Sequence, residues 1–324
     1  MRIFALEGSQ VLGGAVAGAL EHTIEPHEER DFEDGEHKAR PLVSVRDEDV
    51  YVIHSLNGTS HASANDKLCK LLFFIAACKE NGAARVTAIT PYLAYARKDR
   101  QTKARDPVTS RYVAQLFEAV GVDRVVVLDV HNLQAFQNAF RCQTIHLDTR
   151  RLFSSIIAEM TRGQPVAIVS PDGGGVKRAQ LLKDIYEAET GASAGFGFME
   201  KRRSRGVVSG TLFAGDVADA SVFIVDDMIG SGGTMMRAAE ACRERGAIRV
   251  HALAAHGLFG AGSAEFLDST AIDGIVVTDS IDSALQVQAS APKLRVVSVA
   301  PLIAKAIRCL RGTGAISYLL GMED

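Results

Sequence analysis

No apolar run in this 324-residue chain is long enough to span a bilayer. The opening Met1–Leu6 is apolar, but too short for the core of a secretory leader, and reads as a first strand. Cysteine is scarce. Cys69, Cys78, Cys142, Cys242 and Cys309 are scattered, odd in number, and include no Cys-x-x-Cys pair. That argues against a disulfide framework and for buried or idle thiols in a reducing compartment. A large excess of either charge is also missing. A net charge of −3 leaves no electrostatic footprint for nucleic acid or a membrane surface. Low-complexity segments and long linkers are absent. The expectation is a soluble cytoplasmic protein with no nucleic-acid or membrane partner. With 47% hydrophobic residues, the chain can fill the cores of two domains.

Strand-like and helix-like stretches alternate, which argues for parallel sheets with crossover helices, an α/β fold. Strands are expected at Ile3–Leu6, Val50–Leu56, Val86–Thr90, Val125–Asp129, Val166–Ser170, Val222–Asp226, Val250–Ala255, Ile275–Thr278 and Val296–Val299. Helices are expected at Ala64–Asn81, Pro107–Gly121, Arg150–Arg162 and Gly174–Glu189. Ala77-Cys-Lys-Glu-Asn-Gly-Ala-Ala-Arg-Val-Thr-Ala88 is echoed by Ala241-Cys-Arg-Glu-Arg-Gly-Ala-Ile-Arg-Val-His-Ala252. Each reads as a helix end, a glycine stop and the next strand. The echo favours two related α/β domains, 1–147 and 148–324, with 301–324 returning to the first.

Four stretches carry chemistry. In Val222-Phe-Ile-Val-Asp226-Asp227-Met-Ile-Gly230-Ser231-Gly232-Gly233-Thr234, a buried strand runs into two acids and a glycine turn, and Met235–Arg245 reads as a helix. Glycines and a helix N-terminus suit a phosphate, to which Ser231 and Thr234 can donate. Asp226 and Asp227 make sense beside it if they accept hydrogen bonds from sugar hydroxyls. Val166 to Arg178 repeats the plan: Ser170-Pro171-Asp172 is followed by Gly173, Gly174 and Gly175, with Asp172 placed to hold Mg²⁺ beside an anion. Val125–His131 is a strand ending in Asp129-x-His131, which alternation would put on one face; the histidine suits a metal, a phosphate or a structural hydrogen bond. Lys201-Arg202-Arg203-Ser204-Arg205 and the segment Pro91–Arg105 are cationic; the first suits a flap over polyphosphate or a solvated hairpin, the second a small polyanion.

Together these pieces resemble the ribose-phosphate pyrophosphokinases, or phosphoribosyl pyrophosphate (PRPP) synthetases, in order from Met1 to about residue 320. The loop at 222–234 alone is shared with phosphoribosyltransferases. The resemblance implies two related phosphoribosyltransferase-like domains. It also implies pyrophosphoryl transfer from MgATP to the C1 hydroxyl of ribose 5-phosphate, giving PRPP and AMP for nucleotide biosynthesis. By resemblance, Asp226, Asp227, Ser231, Gly232, Gly233 and Thr234 bind ribose 5-phosphate. Phe32, Asp34, Glu36, Arg97, Lys98 and His131 bind ATP; His131 and Asp172 meet magnesium; Lys201 and Arg203 are catalytic. The rival readings are a catalytically silent associated protein and a relative using another phosphosugar. The family grips adenine with the Phe32-type loop of a neighbouring subunit, which implies a homo-oligomer, at least a dimer, with the hexamer its usual form.

Three departures from the pattern stand out: Lys98 in place of glutamine, Gly230 in place of aspartate, and a divergent Asn132–Arg151 where relatives build an allosteric phosphate site. An effector can shift activity only through a site that distinguishes the active state. Activity is therefore expected to depend weakly or not at all on inorganic phosphate, and ADP to compete with ATP. A phosphate titration at constant ionic strength, with light scattering for assembly, checks this; strong sigmoidal activation or a fully active monomer would contradict it.

Overall fold

Runs of β-branched residues build two mainly parallel sheets, and amphipathic stretches between them build the crossover helices. In the computed structural model the described residues are 1–204 and 207–312, with 201–204 and 207–211 described by their backbone alone. Of these, 1–148, 280–282 and 298–312 form one compact unit; 149–279 and 283–297 form the other.

The first unit runs β1 (Arg2–Ala5), α1 (Gln10–Ala19), β2 (His27–Asp31), β3 (His37–Pro41), β4 (Asp49–Ile53), α2 (Ala64–Glu80), β5 (Arg85–Thr90), α3 (Thr109–Ala119), β6 (Arg124–Leu128), α4 (Leu133–Ala139) and β7 (Gln143–Leu147). Its five-stranded sheet, ordered β1-β4-β5-β6-β7, is parallel throughout. β2 and β3 form a separate antiparallel hairpin. The hairpin is held to the core by His27, whose ring meets Phe4 and Phe74 edge-on at 6.1 and 5.7 Å. Lys70 of α2 adds ion pairs to Glu29 and Asp31. α2 begins in a capping box, with Ser63 and Asp66 each accepting the other's backbone N–H.

The second unit runs α5 (Arg150–Thr161), β8 (Val166–Ser170), α6 (Val176–Thr190), β9 (Ala194–Ser204), β10 (Val207–Gly215), β11 (Ser221–Ile229), α7 (Gly233–Glu244), β12 (Arg249–Gly257), α8 (Ser263–Asp268), β13 (Gly274–Thr278), α9 (Ser283–Gln288) and β14 (Leu294–Val297). Its seven-stranded sheet is ordered β10-β9-β8-β11-β12-β13-β14, parallel except for the β9–β10 hairpin. β11 lies between β8 and β12, and residues 221–225 are buried, as two-sided pairing requires. The last helix, α10 (Ala300–Arg311), packs on α1 in the first unit, and Arg308 donates to the Ala19 carbonyl. No described helix is long and apolar enough to cross a membrane.

The sequence echo is a structural one. Gly82 and Gly246 both adopt positive φ, at 86° and 85°. Ala83 and Ala247 both donate to the cysteine carbonyl five residues back, Cys78 and Cys242, at 3.1 Å. Asp123 accepts from Lys79 and from the N–H of Val86; Asp273 accepts from Arg243 and from the N–H of Val250. In both units one aspartate, at the start of the next strand, pins the same helix-to-strand turn.

Two local expectations are corrected. β11 does not stop at the first acid but continues through Asp226, Asp227 and Met228 to Ile229, so the acids are strand residues. β6 ends at Leu128, and Asp129 has φ of +37°, so alternation does not carry Asp129 and His131 to one face. Asp129 instead lies 3.9 Å from Nε2 of His146 on β7.

Candidate active site

In the second unit, two loops leave the carboxyl ends of adjacent parallel strands, β8 and β11. This is the edge where open α/β sheets bind ligands. After β8, the Asp172 carboxylate accepts the backbone N–H of Gly174 at 2.9 Å and of Gly175 at 3.3 Å. Ser170 donates its hydroxyl to the Asp172 carbonyl at 2.6 Å. A side chain at position 175 would bring its Cβ to 2.7 Å from the Ser170 hydroxyl oxygen, so that hydroxyl would have to move to admit one. At 173 a Cβ would meet nothing within 4 Å. The triple glycine is thus not uniformly required by packing.

After β11, Gly232 has φ of +82° and opens α7. A Cβ on it would fall 2.1 Å from the ring of Phe266. Both the left-handed conformation and the aromatic floor demand glycine. Ser231, Gly233 and Thr234 follow the turn at the positive end of α7, and Arg237 donates to the Thr234 hydroxyl at 3.3 Å.

The two acids just before this turn differ. Asp227 is buried, whereas Asp226 is half-buried. Asp226 accepts the N–H of Asp227 at 2.9 Å. Arg178, in the first turn of α6, reaches both: its Nη1 is 3.0 Å from Asp226 Oδ1 and 3.3 Å from Asp227 Oδ1. Burial, with the Asp227 charge beside it, pushes the Asp226 carboxyl up to about 7, against the pull of Arg178. Asp226 is therefore the acid held toward its neutral form.

In the first unit, loops after the adjacent strands β5 and β6 are tied together: Asn132 donates to Asp99 at 2.6 Å and also caps α4 by accepting from Ala135. That brings the exposed His131 onto the same sheet edge as Arg97 and Lys98. Lys98 is engaged, with its ammonium 2.7 Å from Asp106. Asp106 also accepts from Thr102 and from the Lys103 N–H, and these donors hold its carboxyl well below the usual range. Phe32, Asp34 and Glu36 share the tip of the β2–β3 hairpin. There Phe32 donates its N–H to the Glu36 carbonyl, and Asp34 accepts from the Glu36 N–H. Phe32 is 41% exposed, with the Arg30 guanidinium 5.1 Å from its ring. Among the described residues no hydrogen bond or ion pair joins this tip to Arg97 or Lys98. Lys201 and Arg203 stand at the end of β9, paired through the backbone with Thr211 and Val208; their side chains lie outside the described residues, as do 205–206 of the cationic run and 313–324 of the returning segment.

Family comparison settles the ancestry of this arrangement. Residues 1–121 match the N-terminal domain of ribose phosphate pyrophosphokinase, and 208–321 match the phosphoribosyl synthetase-associated domain. A ribose-phosphate pyrophosphokinase of Caldanaerobacter subterraneus is 36% identical over 320 residues, 98% of this chain and 97% of its own. The chain belongs to the ribose-phosphate pyrophosphokinase family. The Haemophilus influenzae member is 38% identical over 89% of both chains. The crystal structure of phosphoribosylpyrophosphate synthetase from Mycobacterium smegmatis superposes with a TM-score of 0.85 at 31% identity, covering 97% of this chain and 99% of that one.

Within this ribose-phosphate pyrophosphokinase fold, sequence reasoning passed over Arg178 and Arg237. Arg178 was read only as the end of the glycine loop; its reach of 48 positions to Asp226 is a consequence of sheet order. Arg237 could have been found, since it lies three residues from Thr234 on one helix face.

Gly230 and Gly232 should behave oppositely. A Cβ at 230 meets nothing within 4 Å and needs no positive φ, so Gly230→Asp should change stability by less than about 0.5 kcal/mol. Gly232→Ala should cost more than about 1–2 kcal/mol. Denaturant unfolding and calorimetry of the two variants check this; equal tolerance would refute the geometry.

Proposed function

We propose that the second unit binds ribose 5-phosphate, the first unit binds ATP as its magnesium complex, and the chain transfers the pyrophosphoryl group from ATP to the sugar. The observation that carries this reading is the pairing of two glycine loops on β8 and β11 with the acid pair at their root. The β11 loop offers a hydroxyl-lined helix N-terminus for the 5-phosphate, and Asp226 and Asp227 are the acceptors for the ribose diol. The β8 loop offers Asp172, held by the Gly174 and Gly175 N–H groups, as a carboxylate for the metal ion that accompanies a pyrophosphoryl group. Relatives named for this activity match both halves of the chain.

The sugar's C1 oxygen attacks the β-phosphorus of ATP. The new O–P bond forms as the bond from that phosphorus to the α–β bridging oxygen breaks; the C1 hydroxyl's proton is released to solvent, and AMP departs with the bridging oxygen and its electron pair. Anchoring the sugar by its phosphate and its diol fixes the line of attack. Lys201 and Arg203 on the β9–β10 hairpin are the cations assigned to charge developing on the leaving group. Arg97, Lys98 and His131 are assigned to the polyphosphate, and Phe32, Asp34 and Glu36 to adenine in a homo-oligomer of at least two chains.

Asp172 and His131 are the residues that would hold magnesium. The fit is that of a substrate-borne ion. Asp172 is a hard oxygen donor fixed by two backbone N–H groups, while no cluster of three or more His, Cys, Asp or Glu side chains suited to a metal occurs among the described residues. Magnesium bound through phosphates, water and one or two protein groups fits that arrangement. When bound, it neutralises the triphosphate that otherwise repels the nucleophile.

The silent-protein reading is weakened because Lys201, Arg203, His131, Asp172 and the acid pair are all present. Incubation with ribose 5-phosphate, ATP and Mg²⁺ should yield AMP and PRPP, and AMP only when the sugar is present. Neither product appearing would support the silent protein, and turnover only with another phosphosugar the third reading. Lys201→Ala should lower kcat by several orders of magnitude with little change in ATP affinity, since its charge matters most as the leaving group forms. A raised KM with an unchanged kcat would make the cluster a binding element only. Asp227→Ala should weaken ribose 5-phosphate by about 1–3 kcal/mol and ATP far less, because a buried polar site is left partly unpaired. Equal losses by calorimetry would move this acid to the metal.

A further inference from the structure

β11 supplies the acids themselves, and α6 supplies Arg178, which contacts both through a single nitrogen at 3.0 and 3.3 Å. On the other flank, β12 places Ala254 opposite Asp226 and the buried, titratable His256 opposite Met228, next to Asp227. Arg178 and Asp226 are each about one-fifth exposed, and Asp227 is almost fully covered, so solvent screens the group only in part. Two like charges this close and this dry do not both stay ionised without a cation between them. Arg178 is also the third residue of α6, directly after the β8 loop, where a Cβ at position 175 would lie 3.9 Å from its Nη1. One side chain thus spans from the anion loop on β8 to the sugar-facing acids on β11.

Building on the assignment of Asp226 and Asp227 to the ribose diol, we propose that Arg178 is a positioning residue for that sugar, holding both carboxylates side by side as acceptors while anchored in the neighbouring anion loop. It does not touch the sugar in this role; it acts through the acids. Each carboxylate keeps lone pairs for hydroxyl donors only while it remains ionised and aimed. Asp226, already raised toward neutrality, would rise further without the guanidinium. The sign follows. Acceptor capacity at Asp226 is present above its pKa and is lost as pH falls through it, so removing the cation moves the loss to higher pH.

The test is calorimetric titration of the full chain with ribose 5-phosphate from pH 5.5 to 9, using wild type, Arg178→Gln and Arg178→Lys. Circular dichroism and melting of each variant establish that it folds. Arg178→Gln should weaken the sugar at least tenfold at pH 7, and its acid limb should move up by about 1 pH unit or more, the size of shift an adjacent arginine produces. Arg178→Lys should restore most of the limb's position but less of the affinity, because its side chain is one bond shorter and its ammonium falls short of where Nη1 meets both carboxylates. A uniform loss at all pH values, with the limb unmoved, would overturn the proposal and leave Arg178 a packing residue. An unchanged sugar affinity with a raised KM for ATP would overturn it by assigning Arg178 to the polyphosphate. Wild type that binds no ribose 5-phosphate at any pH would overturn the sugar reading itself, a result distinct from either.

Discussion

The parallel pairing of β8 with β11 is the constraint on which the rest of the second unit depends. Ser221 to Ile224 lie in register with Val166 to Val169, every one of these residues buried. Because both strands run the same way, their carboxyl ends open at one edge, and whatever follows each strand is delivered there. The glycine loops are therefore neighbours by topology rather than by sequence. The strand lengths refine the placement. β8 stops at Ser170, while β11 runs on through its acids to Ile229, still paired with β12. That extension buries Asp227 and brings Asp226 within reach of α6. An acid pair placed in a strand rather than in a loop is held by ladder hydrogen bonds on one flank and covered by Arg178 on the other. Its charge state is thus a property of the fold.

The first unit uses the same sheet logic with different contents. Its loops after β5 and β6 are cross-tied by Asn132 and Asp99, and Lys98 is tethered to Asp106. A lysine held by an aspartate presents less net charge to a polyanion than a free one would. The loop around it is correspondingly ordered by Asp106, which gathers donors from Lys98, Thr102 and Lys103. The shared anchors, Asp123 and Asp273, show that this resemblance between the units extends below strand order to individual hydrogen bonds.

Much of this was legible from residues alone. The β-branched runs marked the central strands of both sheets, and the glycine turns marked the loops, because both signals are local. The 77–88 and 241–252 echo pointed to a repeated turn that the two units build in the same way. What remained hidden depended on partners distant in the chain. Arg178 looks like a helix residue until β8 and β11 are set side by side. Alternation failed at Asp129 because a left-handed residue ends the strand, and no periodicity announces that. β7, Gln143–Leu147, lacks a purely apolar run and lies at the sheet edge, where such a run is not required. Asp227 read as lying beyond the strand that ended at Asp226, because carboxylates seldom continue a buried strand; a cation from another element makes it tolerable.

The return of α10 to α1 has a consequence for how the protein is made. Arg308 and Ala19 are 289 positions apart, yet they meet within one unit. During synthesis, the polypeptide for the five-stranded sheet leaves the ribosome early, whereas the helix that covers α1 follows only after the second unit. The second unit, inserted between, can complete its own sheet before the first has its full complement. Closing so long a loop is costly in chain entropy and slow in time. The nascent first unit therefore waits with one face uncovered, and that interval is when it is most open to chaperones and to unwanted association.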